Sequence, residues 1–242
     1  MSAPVPVPAQ SRQLILDRIA AATQSARKDA SQLADAYRAL PRAYIRRGSL
    51  SAAARVELMI ERLHEYDAEV VECTPEALPA AIAAQLKASG KRTSVAPEGL
   101  PAEWLGDGFD WKIDRGLATA EIEEAEGVVT AATCGVADSG TIVLHHSPAE
   151  GRRVLTLLPD WHLCILRASQ VVQTLPEYFD SCRQPPSLVT TISGPSATAD
   201  IEMTRIKGVH GPRFLHVILA RDDIRSAANV GLRPMKRTAR KE

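Results

Sequence analysis

One segment of this 242-residue chain groups hydroxyl side chains around a Gly-Pro bend. The sequence predicts a strand over Leu188–Ile192 before the bend and a helix over Ala197–Lys207 after it. Backbone amides and the dipole at a helix N-terminus attract a phosphate or a carboxylate. The candidate ligand-binding residues here are Ser193, Gly194, Ser196, Thr198 and Asp200. Alternatively, Ser196 or Thr198 only caps the helix, and spacing alone favours that interpretation.

A second glycine-bearing segment, Ala137–Thr141 (ADSGT), lies between two predicted strands, Val128–Thr133 and Thr141–His145, that together resemble a hairpin. Asp138 is a candidate general base or a residue that orients a substrate. The candidate ligand-binding residues of this segment are Ser139, Gly140 and Thr141. Alternatively, Asp138 closes an Asx-turn on its own backbone and Gly140 takes a positive φ, and the sequence alone favours that turn.

A third segment, Lys207–Pro212 (KGVHGP), places a histidine between two glycines just before the last predicted strand. His210 is the second catalytic candidate, as an acid/base or as a residue that orients a ligand, and Gly211 is a candidate ligand-binding residue. The alternative is a helix-exit turn in which the imidazole has no role. We expect the first two glycine-bearing bends, those of Ser196 and Asp138, to meet at one edge of a β-sheet and to hold a small anion through exposed amides and hydroxyls.

Other polar residues carry weaker signals. His145 and His146 are neighbours on a predicted strand, so their side chains point to opposite faces and no metal site is expected there. Arg152 and Arg153 follow a glycine in a predicted loop that could meet an anion, although a solvated turn is the favoured interpretation. His162 opens a predicted strand and is interpreted as a structural histidine.

Composition excludes several classes of function. The 29 basic and 29 acidic side chains cancel, so the chain has no overall field that would gather nucleic acid. The four cysteines form no C-x-x-C pair, which predicts no metal or iron–sulfur centre on this chain and a reducing compartment. The Pro-rich first ten residues do not resemble a signal peptide, and no apolar run is long enough to span a membrane. We therefore expect a cytoplasmic location.

The elements that must position these residues alternate between helices and strands. Helical spacing covers Ser11–Leu40, Ser51–Tyr66 and Thr74–Ser89. Further strands are predicted over Glu69–Glu72, Thr93–Ala96, Trp111–Asp114, Val154–Leu158, His162–Leu166 and Phe214–Ala220. This alternation predicts an α/β fold, an open and mainly parallel sheet with helices on both faces. The predicted domains are a Pro-rich lead and helical arm (1–66), the α/β domain (67–221) and a basic tail (222–242).

Several stretches in this order resemble one known family. They are Val129–Ala132, Ala137–Leu144, Arg153–Pro159, His162, Ile192–Glu202 and Gly208–Pro212. They are similar to the LUD-domain family and, within it, to the lactate-utilisation protein C group. The resemblance covers roughly Glu69 to Ala220 and implies a NagB/RpiA/CoA-transferase-like fold, that of the sugar-phosphate isomerases and CoA transferases.

The resemblance also implies a function, namely participation in the oxidation of L-lactate to pyruvate as one of three subunits. Iron–sulfur clusters are then expected on partner proteins, with no cofactor on this chain, which would be an accessory or substrate-binding subunit holding a small anion. An alternative is a stand-alone enzyme acting on a phosphate ester or a CoA-like ligand. A third is a ligand-free scaffold, in which Ser196→Ala and Asp138→Ala would leave function intact.

Overall fold

The structure, a computed structural model, describes residues 9–22, 29–182, 184, 186–199, 205–207 and 210–222. The chain divides into two compact units, residues 1–44 and 45–242. The first unit contains α1 (Ala9–Ala22) and α2 (Ala30–Ala39), within the stretch where the sequence predicts helix. The predicted domain boundaries after residues 66 and 221 stay predictions.

The second unit holds the remaining elements. Its helices are α3 (Ala52–Glu65), α4 (Leu78–Ser89), α5 (Thr119–Glu123) and α6 (Leu175–Ser181). Its strands are β1 (Glu69–Cys73), β2 (Thr93–Pro97), β3 (Asp110–Asp114), β4 (Gly127–Ala131), β5 (Cys134–Val136), β6 (Thr141–Leu144), β7 (Trp161–Arg167), β8 (Val171–Val172), β9 (Thr190–Ile192), β10 (Ala197–Ala199), β11 (Arg205–Lys207) and β12 (Phe214–Ala220). No helix in the described ranges combines the length and the apolar character needed to cross a membrane.

A six-stranded parallel sheet in the order β1-β12-β7-β4-β2-β3 forms the centre of this unit. Neighbouring residues of one strand face opposite sides, so Leu166 and Leu219 pack with α3, whereas Ile165 and Ile218 pack with α4. A sheet buried on both faces requires continuous apolar strands, which is what the sequence contains. The predicted α/β fold with helices on both faces is confirmed.

Helix ends also follow the sequence. The Ser51 hydroxyl accepts a hydrogen bond from the Ala54 amide at the start of α3. Gly90 ends α4 with a φ of 71°, as its position after the apolar pattern indicates. Because α3 places four buried side chains in the core, this helix is an integral layer of the second unit.

A second, four-stranded sheet in the order β8-β5-β6-β9 changes one prediction. The strand predicted over Val128–Thr133 was expected to pair with Thr141–His145. Instead, β4 lies in the parallel sheet between β2 and β7, and β6 pairs antiparallel with β9 and with the short β5, which directly precedes the Ala137–Thr141 segment. The apolar residues of β4 and β5 follow each other closely in the sequence because the chain passes directly from one buried sheet into the other.

Two further predictions are wrong. The helix predicted over Ala197–Lys207 is replaced by antiparallel strands, in which Ala197 pairs with Lys207. The helix-dipole argument for an anion site therefore does not apply. The strand predicted over Val154–Leu158 is a short 3-10 helix, Arg153–Thr156, because Thr156 turns its hydroxyl back to the Arg153 carbonyl, 3.2 Å away.

Candidate functional site

The two glycine-bearing bends meet at one end of the small sheet. Since β6 and β9 are antiparallel, with Ile142 opposite Ile192, the next residues outward, Thr141 and Ser193, are adjacent. Their hydroxyl oxygens lie 2.7 Å apart, and the Ser139 hydroxyl lies 2.8 Å from that of Thr141. Three hydroxyl groups thus join the bend after β5 to the bend after β9.

The end of α3 supports both bends through close backbone contacts. Gly140 has a φ of 60°, and a Cβ on it would lie 2.7 Å from the Cβ of Arg62. Gly194 has a φ of 84°, and a Cβ on it would lie 2.5 Å from the Cβ of Tyr66. Each bend therefore needs a glycine for its conformation and for its approach to the helix.

A cavity of about 200 Å³ opens beside the second bend. It is lined by segments 190–196 and 210–212 and by Arg153, Thr156, His162 and Leu215. The two segments are held together by Ser196, whose amide donates to the Pro212 carbonyl at 2.8 Å and whose hydroxyl accepts from the His210 amide at 2.9 Å. Ser196 therefore ties two chain segments together and does not cap a helix.

Arg153 supplies a positive charge to this cavity. Its Nη1 donates to the carbonyl oxygen and the hydroxyl of Thr156, at 2.8 and 3.0 Å. Partial burial lowers the pKa of the guanidinium. Within the part of the chain that the structure describes, Arg153 forms no ion pair with a carboxylate. A partly buried cation without a counter-ion favours an anionic ligand.

His162 lies against the same cavity on β7 and is 1% exposed. Its Nε2 lies 2.8 Å from the Thr130 hydroxyl on the neighbouring β4. Burial, and secondly the charge of Arg153, lower the pKa of His162 to about 3. The imidazole is therefore neutral near pH 7, and the interpretation of His162 as a hydrogen-bonded structural histidine agrees with its burial.

The predicted site residues divide into four groups. Those lining the cavity are Ser193, Gly194, Ser196, His210 and Gly211. Ser139 and Thr141 connect to it through hydroxyl groups, whereas Gly140 and the exposed Asp138 are outside the lining. The Asp138 amide donates to the Gln173 carbonyl at 3.0 Å.

Asp200 lies outside the described residues, and Thr198 is described only by its place in β10. Ligand binding by any of these residues stays a prediction.

The two arginines after Gly151 have different partners. Arg152 donates two hydrogen bonds to Asp114, at 2.8 and 2.7 Å, and one to the Leu117 carbonyl at 3.0 Å. Arg152 therefore fixes the loop to the end of β3, and only Arg153 faces the cavity. Sequence reasoning favoured a solvated turn for both, because an arginine beside an apolar run gives no indication of which side chain turns inward.

Two further polar residues organise the loop before Gly151. Glu150, which sequence reasoning missed, is 1% exposed and accepts from the amides of His145 and Ser147 at 2.7 and 3.0 Å. His146 has a φ of 55°, and its two ring nitrogens each lie 2.8 Å from a partner, the Gly151 carbonyl and the Thr190 hydroxyl. His145 and His146 both come after the end of β6. In the described residues, no group of three His, Cys, Asp or Glu side chains is placed to hold a metal ion.

Comparisons with known proteins agree with this architecture. A crystal structure of a DUF162 family protein from Deinococcus radiodurans superimposes with a TM-score of 0.62 and 34% identity, covering 71% of this chain and 99% of that one. "Lactate utilization protein C" of Deinococcus radiodurans is 40% identical over 175 residues, 70% of this chain and 81% of that protein.

A second relative, "Lactate utilization protein C" of Bacillus subtilis, is 35% identical over 134 residues. That match covers 51% of this chain and 55% of the relative, so the similarity spans about half of the Bacillus protein. The family model described as "LUD domain" matches residues 56–220, which include α3 from Val56 onward, the parallel sheet, the four-stranded sheet and every lining residue of the cavity. The chain therefore belongs to the LUD domain family.

Proposed function

We propose that this protein takes part in lactate utilisation as a subunit that binds a small carboxylate in the cavity beside Arg153. The observation that carries the proposal is Arg153, which lines a cavity and whose guanidinium, among the described residues, pairs with no carboxylate. A monocarboxylate would bring a negative charge to this guanidinium through hydrogen bonds to its remaining N–H groups.

The size of the cavity supports a small ligand. Its volume of about 200 Å³ is that of about seven water molecules, at roughly 30 Å³ each. Lactate has six non-hydrogen atoms and matches that volume. A CoA-like ligand is far larger than such a cavity, and pockets for drug-sized molecules start at roughly 300 Å³.

The relatives connect this site to a process. Two proteins that share 35–40% of the aligned residues with this chain carry the name "Lactate utilization protein C". The proposal further assigns the iron–sulfur clusters of lactate oxidation to partner proteins. The four cysteines of this chain support that division, because Cys73, Cys164 and the pair Cys134 and Cys182 lie in three different core clusters. Four thiolates are the usual ligands of one such cluster. The thiols are free, which supports a cytoplasmic location.

The test is a titration of the purified chain with L-lactate, a sugar phosphate and an acyl-CoA, followed by calorimetry and by thermal unfolding. We expect saturable binding of L-lactate and its loss in Arg153→Gln. Arg115→Gln is the matched control, because Arg115 is an exposed arginine that pairs with Glu98 on the surface. This control should bind as the wild type does.

Three results would contradict the proposal. Unaltered L-lactate binding in Arg153→Gln would remove the role of this cavity. Stabilisation by a sugar phosphate or an acyl-CoA but not by L-lactate would favour the stand-alone enzyme. Lactate oxidation by the isolated chain with an artificial electron acceptor would end the assignment as a non-redox subunit. Co-purification with an iron–sulfur protein that needs this chain for lactate oxidation would support the proposed division of labour.

A further inference from the structure

One hydroxyl group in the wall of the cavity has its hydrogen-bonding role, donor or acceptor, set by a residue outside the lining. Thr190, at the start of β9, lines the cavity, and its Oγ1 lies 2.8 Å from Nε2 of His146. His146 is not among the lining residues, so it acts on the cavity only through its neighbours. Its other ring nitrogen, Nδ1, lies 2.8 Å from the Gly151 carbonyl oxygen.

In the neutral form of the imidazole, these partners determine the tautomer. A carbonyl oxygen only accepts, so Nδ1 carries the proton and donates it to Gly151. Nε2 is then unprotonated and accepts the hydroxyl proton of Thr190. The Thr190 oxygen is left with its lone pairs as its remaining hydrogen-bonding capacity. Toward a ligand, this hydroxyl is therefore an acceptor and not a donor.

His146 also has an unusual backbone conformation. Its φ of 55° is in the left-handed region, which non-glycine residues enter at a cost. The imidazole there connects two walls of the cavity: β9 through Thr190, and the loop from Gly151 to Arg153 through the Gly151 carbonyl. The residue that directs the hydroxyl thus also holds the backbone that leads to the cavity's cation.

We propose that Thr190, oriented by the positioning residue His146, selects 2-hydroxy acids by accepting a hydrogen bond from the ligand's hydroxyl while Arg153 holds its carboxylate. A 2-hydroxy acid has both the carboxylate and a hydroxyl that can donate. A 2-oxo acid has a carbonyl oxygen at carbon 2, which can only accept and so forms no hydrogen bond with the Thr190 oxygen. An acid without a substituent at carbon 2 has no polar group there. The inference rests on the proposed function, because it requires the carboxylate to bind beside Arg153.

The test compares L-lactate, pyruvate and propionate, which carry the same charge and the same three-carbon chain and differ only at carbon 2. We expect the wild-type chain to bind L-lactate about two- to tenfold more tightly than propionate, the range that one neutral hydrogen bond provides. Thr190→Val keeps the shape of the side chain and removes the hydroxyl, so it should bring the two affinities together by weakening L-lactate alone. Thr190→Ser should restore the preference.

His146→Phe tests the positioning role, because it keeps a ring and removes both nitrogens. It should reduce the preference for L-lactate over propionate, whereas a purely structural role would weaken both acids by the same factor. A preference for L-lactate that survives in Thr190→Val would overturn this inference and leave the proposed carboxylate site standing. If the wild-type chain binds none of the three acids, the proposed function itself fails.

Discussion

Arg153 and His162 line the same cavity, and the charge of one acts on the protonation of the other. Burial is the larger cause and the guanidinium the smaller in lowering the pKa of His162 to about 3. Together they place a guanidinium and a buried, hydrogen-bonded imidazole beside the same cavity, and this imidazole is neutral through the neutral pH range.

The depressed pKa of His162 predicts a pH-dependent free energy of unfolding. In the unfolded chain a histidine has a pKa of about 6.5, so the unfolded state takes up a proton below that pH while the folded state does not until about pH 3. The stabilisation is complete above about pH 6.5 and falls toward pH 3, by at most ~1.4 kcal/mol per pH unit. Urea unfolding of the wild type and of His162→Gln between pH 4.5 and pH 7.5 measures the difference.

His162→Gln should show a shallower decline than the wild type as the pH falls. Equal slopes for the wild type and His162→Gln would mean that the imidazole titrates normally in the folded state.

Glu150 provides a second prediction, on the loop that leads to Arg153. Its buried carboxylate accepts from the amides of His145 and Ser147 and from the Thr133 hydroxyl, at 2.7, 3.0 and 2.5 Å. Glu150→Gln can keep one oxygen for the two backbone amides, but it turns an NH2 group toward the Thr133 hydroxyl and replaces charge-assisted hydrogen bonds with neutral ones, so we expect a loss of about 1–2 kcal/mol in the free energy of unfolding. Chemical denaturation at pH 7 measures this loss. The exposed control Glu103→Gln should change by less than about 0.5 kcal/mol, and an equally small effect of Glu150→Gln would contradict the role given to it.

The parallel sheet could be predicted from the sequence because strands that are buried on both faces contain continuous runs of apolar residues. Strands such as β7 and β12 are continuous apolar runs, and the helices between strands carry apolar residues at helical spacing. Caps such as Ser51 and Gly90 mark where these helices begin and end. Local chemistry decides these features, so one sequence is enough to find them.

The cavity could be predicted only in part, because non-local pairing decides its shape. The sequence predicts the Gly-Pro bend. The segment after the bend forms β10, however, and the local spacing of residues does not predict that β10 pairs with β11. Arg153 was considered beside Arg152, and only the contact of Arg152 with Asp114, 38 residues away, tells which one turns inward. His146 was considered for metal binding alone, since its bond to Thr190 depends on where β9 pairs.

Gly194 carries a third prediction, on the shape of the cavity wall. Gly194→Ala would place a Cβ against Tyr66 in a left-handed conformation, so we expect about 1–3 kcal/mol of destabilisation and weaker binding of L-lactate. Gly106→Ala is the matched control, because a Cβ there would meet no atom within 4 Å. Thermal unfolding and lactate titration of both variants measure the effect. Identical behaviour of the two variants would show that the close approach to Tyr66 is dispensable.

The final prediction concerns the ion pair between Arg152 and Asp114, which fixes the residue next to Arg153. The Asp114 side chain is 4% exposed and that of Arg152 is 50% exposed, so solvent screens the pair on one side only. A double-mutant cycle of Arg152→Gln and Asp114→Asn should give a coupling free energy of about 1 kcal/mol, above a typical surface pair. The same two variants should each weaken L-lactate binding, because the loop that carries Arg153 loses its anchor on β3. A coupling near zero, together with unchanged affinity, would show that Arg153 keeps its position without this anchor.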